Sequence, residues 1–141
     1  MILYNTENIK MPRFPKRIVS LWIKNVSELH GKRVGDISYI FCPDSKILEI
    51  NRQYLAHDYF TDIITFDDSE GDIITGDIFI SVDTVMSNAS AYSVSFAEEL
   101  HRVMIHGVLH LCGIGDKTDC EREIMRNCEN EALNLLNKMI Q

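Results

Sequence analysis

His106 and His110 stand four residues apart in the stretch His106-Gly107-Val108-Leu109-His110-Leu111-Cys112-Gly113-Ile114-Gly115-Asp116. On an α-helix, four steps of about 100° return nearly to the starting direction, so both imidazoles leave one face a turn apart. Two nitrogen donors then stand where one tetrahedral zinc ion can take both. Gly113 can end the helix in a left-handed conformation and Gly115 loosens the returning chain, which lets Asp116 swing back as an oxygen donor. Two histidines and a carboxylate leave a fourth position open for water, as in catalytic rather than closed structural zinc sites. The plainer alternative is a pair of core histidines bonded to backbone carbonyls. Isolated H-x-x-x-H spacings arise often by chance, and it is Gly113 and Asp116, after the helix stop, that favour the metal.

The spacing follows the long zincin pattern H-E-x-x-H-x-x-G-x-x-H except that Gly107 replaces the glutamate and Asp116 the third histidine. In peptidases of that class the glutamate is the general base beside the metal. Such assistance is worth about 10²–10⁴ in rate, and glycine has no side chain to supply it. The motif keeps a metal frame and drops the peptidase base, which argues against proteolysis and leaves the general base unassigned.

Hydrophobic periodicity supplies the elements that would carry these residues. Residues 2–5 are a strand candidate. From 15 to 29, Ile18, Leu21, Trp22, Val26 and Leu29 recur at helical spacing on one expected face, and Gly31 follows as a stop. Residues 34–42 read as a strand. A helix over 44–55 follows, with Ile47, Leu48, Ile50, Tyr54 and Leu55 as its apolar members. Residues 61–66 and 73–82 are β-branched and aromatic, and the polar break between them predicts an antiparallel pair. Helices are expected over 83–92, 95–112 and 119–140, the last with Ile124, Cys128, Leu135 and Met139 near one face and Met125, Leu136 and Ile140 beside it. Strands preceding helices point to an α+β domain spanning 1–141, without a linker or repeat.

The chain has 141 residues, 45% apolar and 25% charged, the balance of one soluble domain able to build a core without disulfides. No apolar run approaches the roughly 18–20 residues that span a bilayer, and the start lacks the pattern of a signal peptide, so a cytoplasmic protein is expected. Cys42, Cys112, Cys120 and Cys128 form no C-x-x-C pair and are expected as free, buried thiols. Asp67, Asp68, Glu70 and Asp72 lack the alternation of a calcium loop and read as a solvated turn. His30, His57 and His101 have no ligand-spaced partner. Tyr54, Tyr59 and Phe60 could stack on bases, although core burial is the simpler expectation.

These residues resemble the YbeY-type endoribonucleases that mature ribosomal RNA. The family signature resembles H-G-x-L-H-L-x-G-Y-D-H, matched here by His106 to Leu111 and Gly113. A second block, N-x-x-Y-R-x-x-D-x-P-T-D-V-L-S-F, is echoed by Asn51, Tyr54, Asp58, Thr61, Asp62, Ile63, Ile64, Thr65 and Phe66. A third, G-D-I-x-I-S, is met by Gly76 to Ser81. The resemblance implies a compact α+β fold with a mixed sheet of about four strands. It implies a cytoplasmic endoribonuclease with one zinc ion per chain, directed to single-stranded ribosomal RNA. Its role would lie in small-subunit 3′-end maturation and ribosome quality control, alongside ribosome-associated proteins and away from membranes. A non-catalytic ribosome-assembly factor with a structural metal is the alternative, and a zinc metallopeptidase a further one.

Two departures from the family matter. Asp116 falls where the third histidine is found. An anionic ligand partly cancels the metal's charge and relaxes the preference for zinc. Asp119 and Cys120 are competing donors. Leu55 occupies the position of a family arginine that is thought to help catalysis or RNA contact, and an aliphatic side chain cannot hold a phosphate. Arg52 is a conceivable substitute, with a solvated surface role as its alternative.

The net charge of −7 weighs against bulk nucleic-acid binding but is unevenly spread. Residues 1–66 carry 9 basic and 7 acidic side chains, whereas 67–141 carry 5 and 14. Arg13, Lys16, Arg17 and Lys24 lie mostly away from the first helix's apolar stripe. If that basic face contacts RNA, Arg17→Glu with Lys24→Glu should weaken binding and flatten its dependence on salt, measured by fluorescence polarisation.

Overall fold

The computed structural model describes residues 1–55 and 61–141; the expectations placed on His57, Asp58, Tyr59 and Phe60 fall outside them. Its elements are β1 (Ile2–Thr6), α1 (Lys16–Leu29), β2 (Arg33–Cys42), α2 (Asp44–Tyr54) and β3 (Ile63–Asp67). They continue with β4 (Ile73–Ser81), α3 (Val82–Ala91), α4 (Phe96–Leu111) and α5 (Asp119–Ile140). The sheet order is β1-β2-β4-β3. β2 runs parallel to β1 and β4, and β3 closes antiparallel on β4, so the expected α+β domain with a four-stranded mixed sheet is what forms. The acidic turn joins that antiparallel pair. Asp67 Oδ1 accepts the Ser69 N–H at 2.9 Å and Gly71 takes φ 57°, a conformation that costs glycine little.

One face of the sheet carries the main core. Trp22, Ile23 and Val26 of α1 meet Tyr39 and Phe41 of β2, Ile74, Ile78 and Ile80 of β4, and the inner residues of α4 and α5. Each such side chain contributes about 1.5–3 kcal/mol on burial. Trp22 Nε1 donates to the Ala132 carbonyl at 2.7 Å, tying α1 to α5, and the Tyr39 hydroxyl donates to the Met104 carbonyl at 2.8 Å, tying β2 to α4. A smaller cluster of Cys42, Ile47, Ile50 and Ile64, with Phe66 and Phe79, packs α2 separately. No described helix is long and apolar enough to cross a membrane.

The elements match the sequence pattern better than their faces do. On α1 the buried line is Val19, Trp22, Ile23 and Val26, while Leu21 and Leu29 are exposed, because the helix touches α4 and α5 as well as the sheet. On α5 the line passes through Met125, Glu129, Ala132 and Leu136, with Ile124 exposed. Tyr54 and Leu55, expected among the apolar members of α2, are also exposed; the Tyr54 ring presents its edge to Phe66. All four cysteines are free, but only Cys42 is buried, and burial pushes its thiol up to about 12. Cys112 and Cys128 are half-buried and Cys120 is exposed on the outer side of α5's first turn.

Gly76 of β4 pairs with Asp67 of β3, and a Cβ there would lie 2.3 Å from the Phe66 carbonyl oxygen and 3.2 Å from Leu111 Cδ2. Gly76→Ala therefore forces β3 away from its partner. The expected cost is about 1–3 kcal/mol, seen as a lower urea midpoint with an unchanged slope; a wild-type midpoint would show that β3 shifts freely.

Candidate metal centre

Helix α4 presents two unlike faces. Leu100, Met104, Val108 and Leu111 enter the core, whereas Glu99, Arg102, Val103, His106 and His110 line a cleft of about 750 Å³. Ser95 caps its N-terminus, its hydroxyl accepting the Glu98 N–H at 3.1 Å. At the other end Gly113, at φ 99°, donates its N–H to the His110 carbonyl at 2.9 Å, and Ile114 N–H reaches Leu109 at 3.0 Å. These two bonds form a Schellman stop that turns the chain back immediately after the second histidine. Gly115 leaves room for the Glu121 carboxylate, which closes a capping box with Thr118 at the start of α5. Arg122 Nη1 holds the Lys117 carbonyl at 2.8 Å, so both ends of the return loop are fixed.

The loop delivers Asp116 to the histidines as the spacing predicts. Its Oδ2 stands 3.3 Å from His106 Nε2 and 3.2 Å from His110 Nε2, and the two rings lie edge to face with centroids 4.6 Å apart. Donors bound about 2.0–2.1 Å from a tetrahedral ion stand roughly 3.3–3.4 Å from one another, so the donor set fits a single divalent metal. Among the described residues His106, His110 and Asp116 are the group whose donor atoms converge in this way. The competing donors do not join them: Asp119 is turned to Arg122, and Cys120 is exposed. Of the histidines without ligand spacing, His101 is buried against Trp22 and burial lowers its pKa, while His30 caps α1.

Gly107 packs against the sheet beside the cleft. A Cβ there would lie 3.1 Å from Ile63 Cδ1 and from two carbons of Ile78, so the position that carries the base in zincin peptidases is here taken up by contact with β3 and β4. Leu55 lines the cleft, as the resemblance implies for that position, whereas Arg52 is exposed outside it. Among the described residues, the cations that do line the cleft are Arg102, Lys117 and Arg126.

Glu129 is the site residue that the sequence reading missed. It is 5% exposed, and its carboxylate accepts from His106 Nδ1 at 2.6 Å and from Arg102 Nη1 at 2.9 Å. Burial works against the charge on both partners. For His106 the hydrogen bond and charge of Glu129, with Asp116 and Asp62 adding to them, outweigh it and raise the imidazole pKa. For Glu129, His106 and Arg102 outweigh it and lower the carboxyl pKa. For Asp62 and Glu99 burial outweighs the opposing pull of His106 on the one and of Arg102 and Arg126 on the other, and both carboxyl pKa values are raised.

These opposed shifts set a pH window for the metal-free protein. The Glu129 contribution to stability is present above the ordinary carboxylate value and is lost as pH falls through the depressed one. The His106 contribution is present below the ordinary imidazole value and is lost as pH rises through the raised one. The pair should therefore stabilise most between about pH 4.3 and 6.5. Thermal melts in chelator should show the difference between wild type and His106→Gln peaking there; a difference independent of pH would show that the ion pair does not form.

Residues 2–137 match the family model described as endoribonuclease YbeY. A Phocaeicola vulgatus protein named endoribonuclease YbeY is 62% identical over 96% of this chain and 99% of its own length. One of that name from Parabacteroides distasonis is 61% identical, over 96% and 95% respectively. A Thermotoga maritima protein solved in solution superposes with a TM-score of 0.66 at 25% identity, covering 98% of this chain and 93% of that one. The match runs through both halves of the metal centre, the histidine helix with its Asp116 loop and the α5 segment carrying Glu129, and the chain belongs to the endoribonuclease YbeY family.

Proposed function

We propose that this chain is a metal-dependent endoribonuclease in which His106, His110 and Asp116 hold one divalent ion, zinc by its donor chemistry. Its substrate is single-stranded ribosomal RNA of the small subunit, cut during 3′-end maturation and ribosome quality control in the cytoplasm, with ribosome-associated proteins bringing it to the site. The observation that carries this reading is a carboxylate oxygen 3.2–3.3 Å from each of two imidazole nitrogens, at an open cleft in a chain of this family. An ion held there supplies Lewis-acid polarisation of a phosphate oxygen, or of the water or RNA 2′-hydroxyl that attacks it. The protein's own part is to hold those donors, to keep Arg102 fixed between Glu129 and Asn130, and to present Lys117 and Arg126 to the phosphates.

The assembly-factor reading draws on Leu55, whose side chain offers the cleft no cation. The peptidase reading loses support, since Gly107 offers no side-chain base and Ile63 and Ile78 crowd the space a Cβ would take.

Metal-loaded protein should cut single-stranded RNA and leave casein intact, with RNA cleavage lost on chelation. His110→Ala should lose both metal, by elemental analysis, and precursor-rRNA processing. Unchanged processing without bound metal would sink the enzymatic reading, and cleavage of neither substrate by metal-loaded protein would favour the assembly factor.

A further inference from the structure

A carboxylate 5% exposed within a helix that contributes no metal donor needs a reason to be there, because burying an unpaired charge costs several kcal/mol. Glu129 divides its two oxygens between two partners. Oε1 accepts from Arg102 Nη1 at 2.9 Å and Oε2 meets His106 Nδ1 at 2.6 Å. Arg102 is held in turn, its Nη2 donating to Asn130 Oδ1 at 2.9 Å. The two helices thus enclose the carboxylate from both sides, 23 residues downstream of the imidazole it touches.

A neutral imidazole carries one proton, and an ionised carboxylate can only accept. Glu129 therefore requires the proton of His106 to sit on Nδ1. That leaves the lone pair on Nε2, the nitrogen 3.3 Å from Asp116 Oδ2. His110 is treated differently: among the described residues its polar side-chain contact is Asp116, at 3.2 Å, with no carboxylate behind the ring.

We propose that Glu129 is a positioning residue of the metal centre, fixing the tautomer and ring direction of His106 so that Nε2 arrives as a ready donor, with Arg102 holding the carboxylate in place. The proposal rests on the reading of His106, His110 and Asp116 as metal ligands. It makes His106 the preset donor and His110 the adaptable one, and it makes α5 part of the site. An outer carboxylate of this kind typically changes metal affinity about 10–100-fold when removed.

Zinc affinity by chelator competition, together with ¹⁵N NMR of the histidine rings at a pH above the imidazole range, tests it. The wild-type metal-free protein should show His106 as the Nδ1–H tautomer. Glu129→Gln should mix the tautomers and weaken zinc about 10–100-fold, and Arg102→Met should do so to a smaller extent. If Glu129 merely fastens α5 to α4, Glu129→Gln lowers the melting temperature but leaves tautomer and zinc affinity at wild-type values, which overturns the proposal. A wild-type Nε2–H tautomer overturns it too, and this reading needs no variant to fold. Failure of the underlying metal reading is separately visible, as wild type and His110→Ala binding zinc equally poorly.

Discussion

Helix α4 lies so close to the sheet that a methyl group at Gly107 would come within 3.1 Å of Ile63 and Ile78, and the position of every donor depends on that contact. The imidazoles of His106 and His110 leave the neighbouring face of the same helix, toward the cleft. The Tyr39 hydroxyl on the Met104 carbonyl fixes its height along the sheet, and the Schellman stop fixes where Asp116 re-enters. The site is therefore built on rigid elements, with a single short loop supplying the third donor.

The same contact separates this centre from a peptidase. With Gly107 pressed on the sheet, any side chain at that position would meet Ile63 and Ile78 at its first carbon. Acidic groups instead reach the cleft from elsewhere: Asp62 before β3, Glu99 two turns upstream on α4, and Glu129 from α5. The cations have an unexpected origin as well. Arg102, Lys117 and Arg126 all belong to residues 67–141, the acidic half of the chain, while no residue of the basic helix α1 lines the cleft. Charge counted along the sequence thus misplaces the electropositive groups nearest the donors.

Legibility follows how local each feature is. His106, His110, Gly113 and Asp116 occupy one helix end and its stop, where helical periodicity and a glycine's freedom at φ 99° decide the geometry without reference to the rest of the fold. The nine elements among the described residues are likewise legible from apolar periodicity and turn residues. Their buried faces are less so, because a helix touching three neighbours buries a wider arc than a single stripe. Leu21 and Leu29 share a stripe with Trp22 and are nonetheless exposed. Glu129 is the extreme case. It occupies the centre of α5's buried line, where a carboxylate reads as the polar side of the helix, and the expected stripe shifts to Ile124 and Cys128 in consequence. Only the packing of α4 against α5 shows that the charge has partners.

Those partners also bear on what an aspartate does in place of a third histidine. Taken alone, Asp116 adds a negative charge to a centre meant to attract a phosphodiester. Glu129 adds a second within reach of His106. Arg102, 2.9 Å from Glu129, offsets that second charge, so of these two acids only Asp116 would draw on the charge of a bound divalent ion. Lys117 and Arg126 line the same cleft, where they and a bound divalent ion would offset Asp62, Asp67, Glu99 and Asp116. An anionic ligand is therefore compatible with phosphate chemistry here because the neighbouring carboxylate is already paired. Arg102 is what allows the centre to carry both acids.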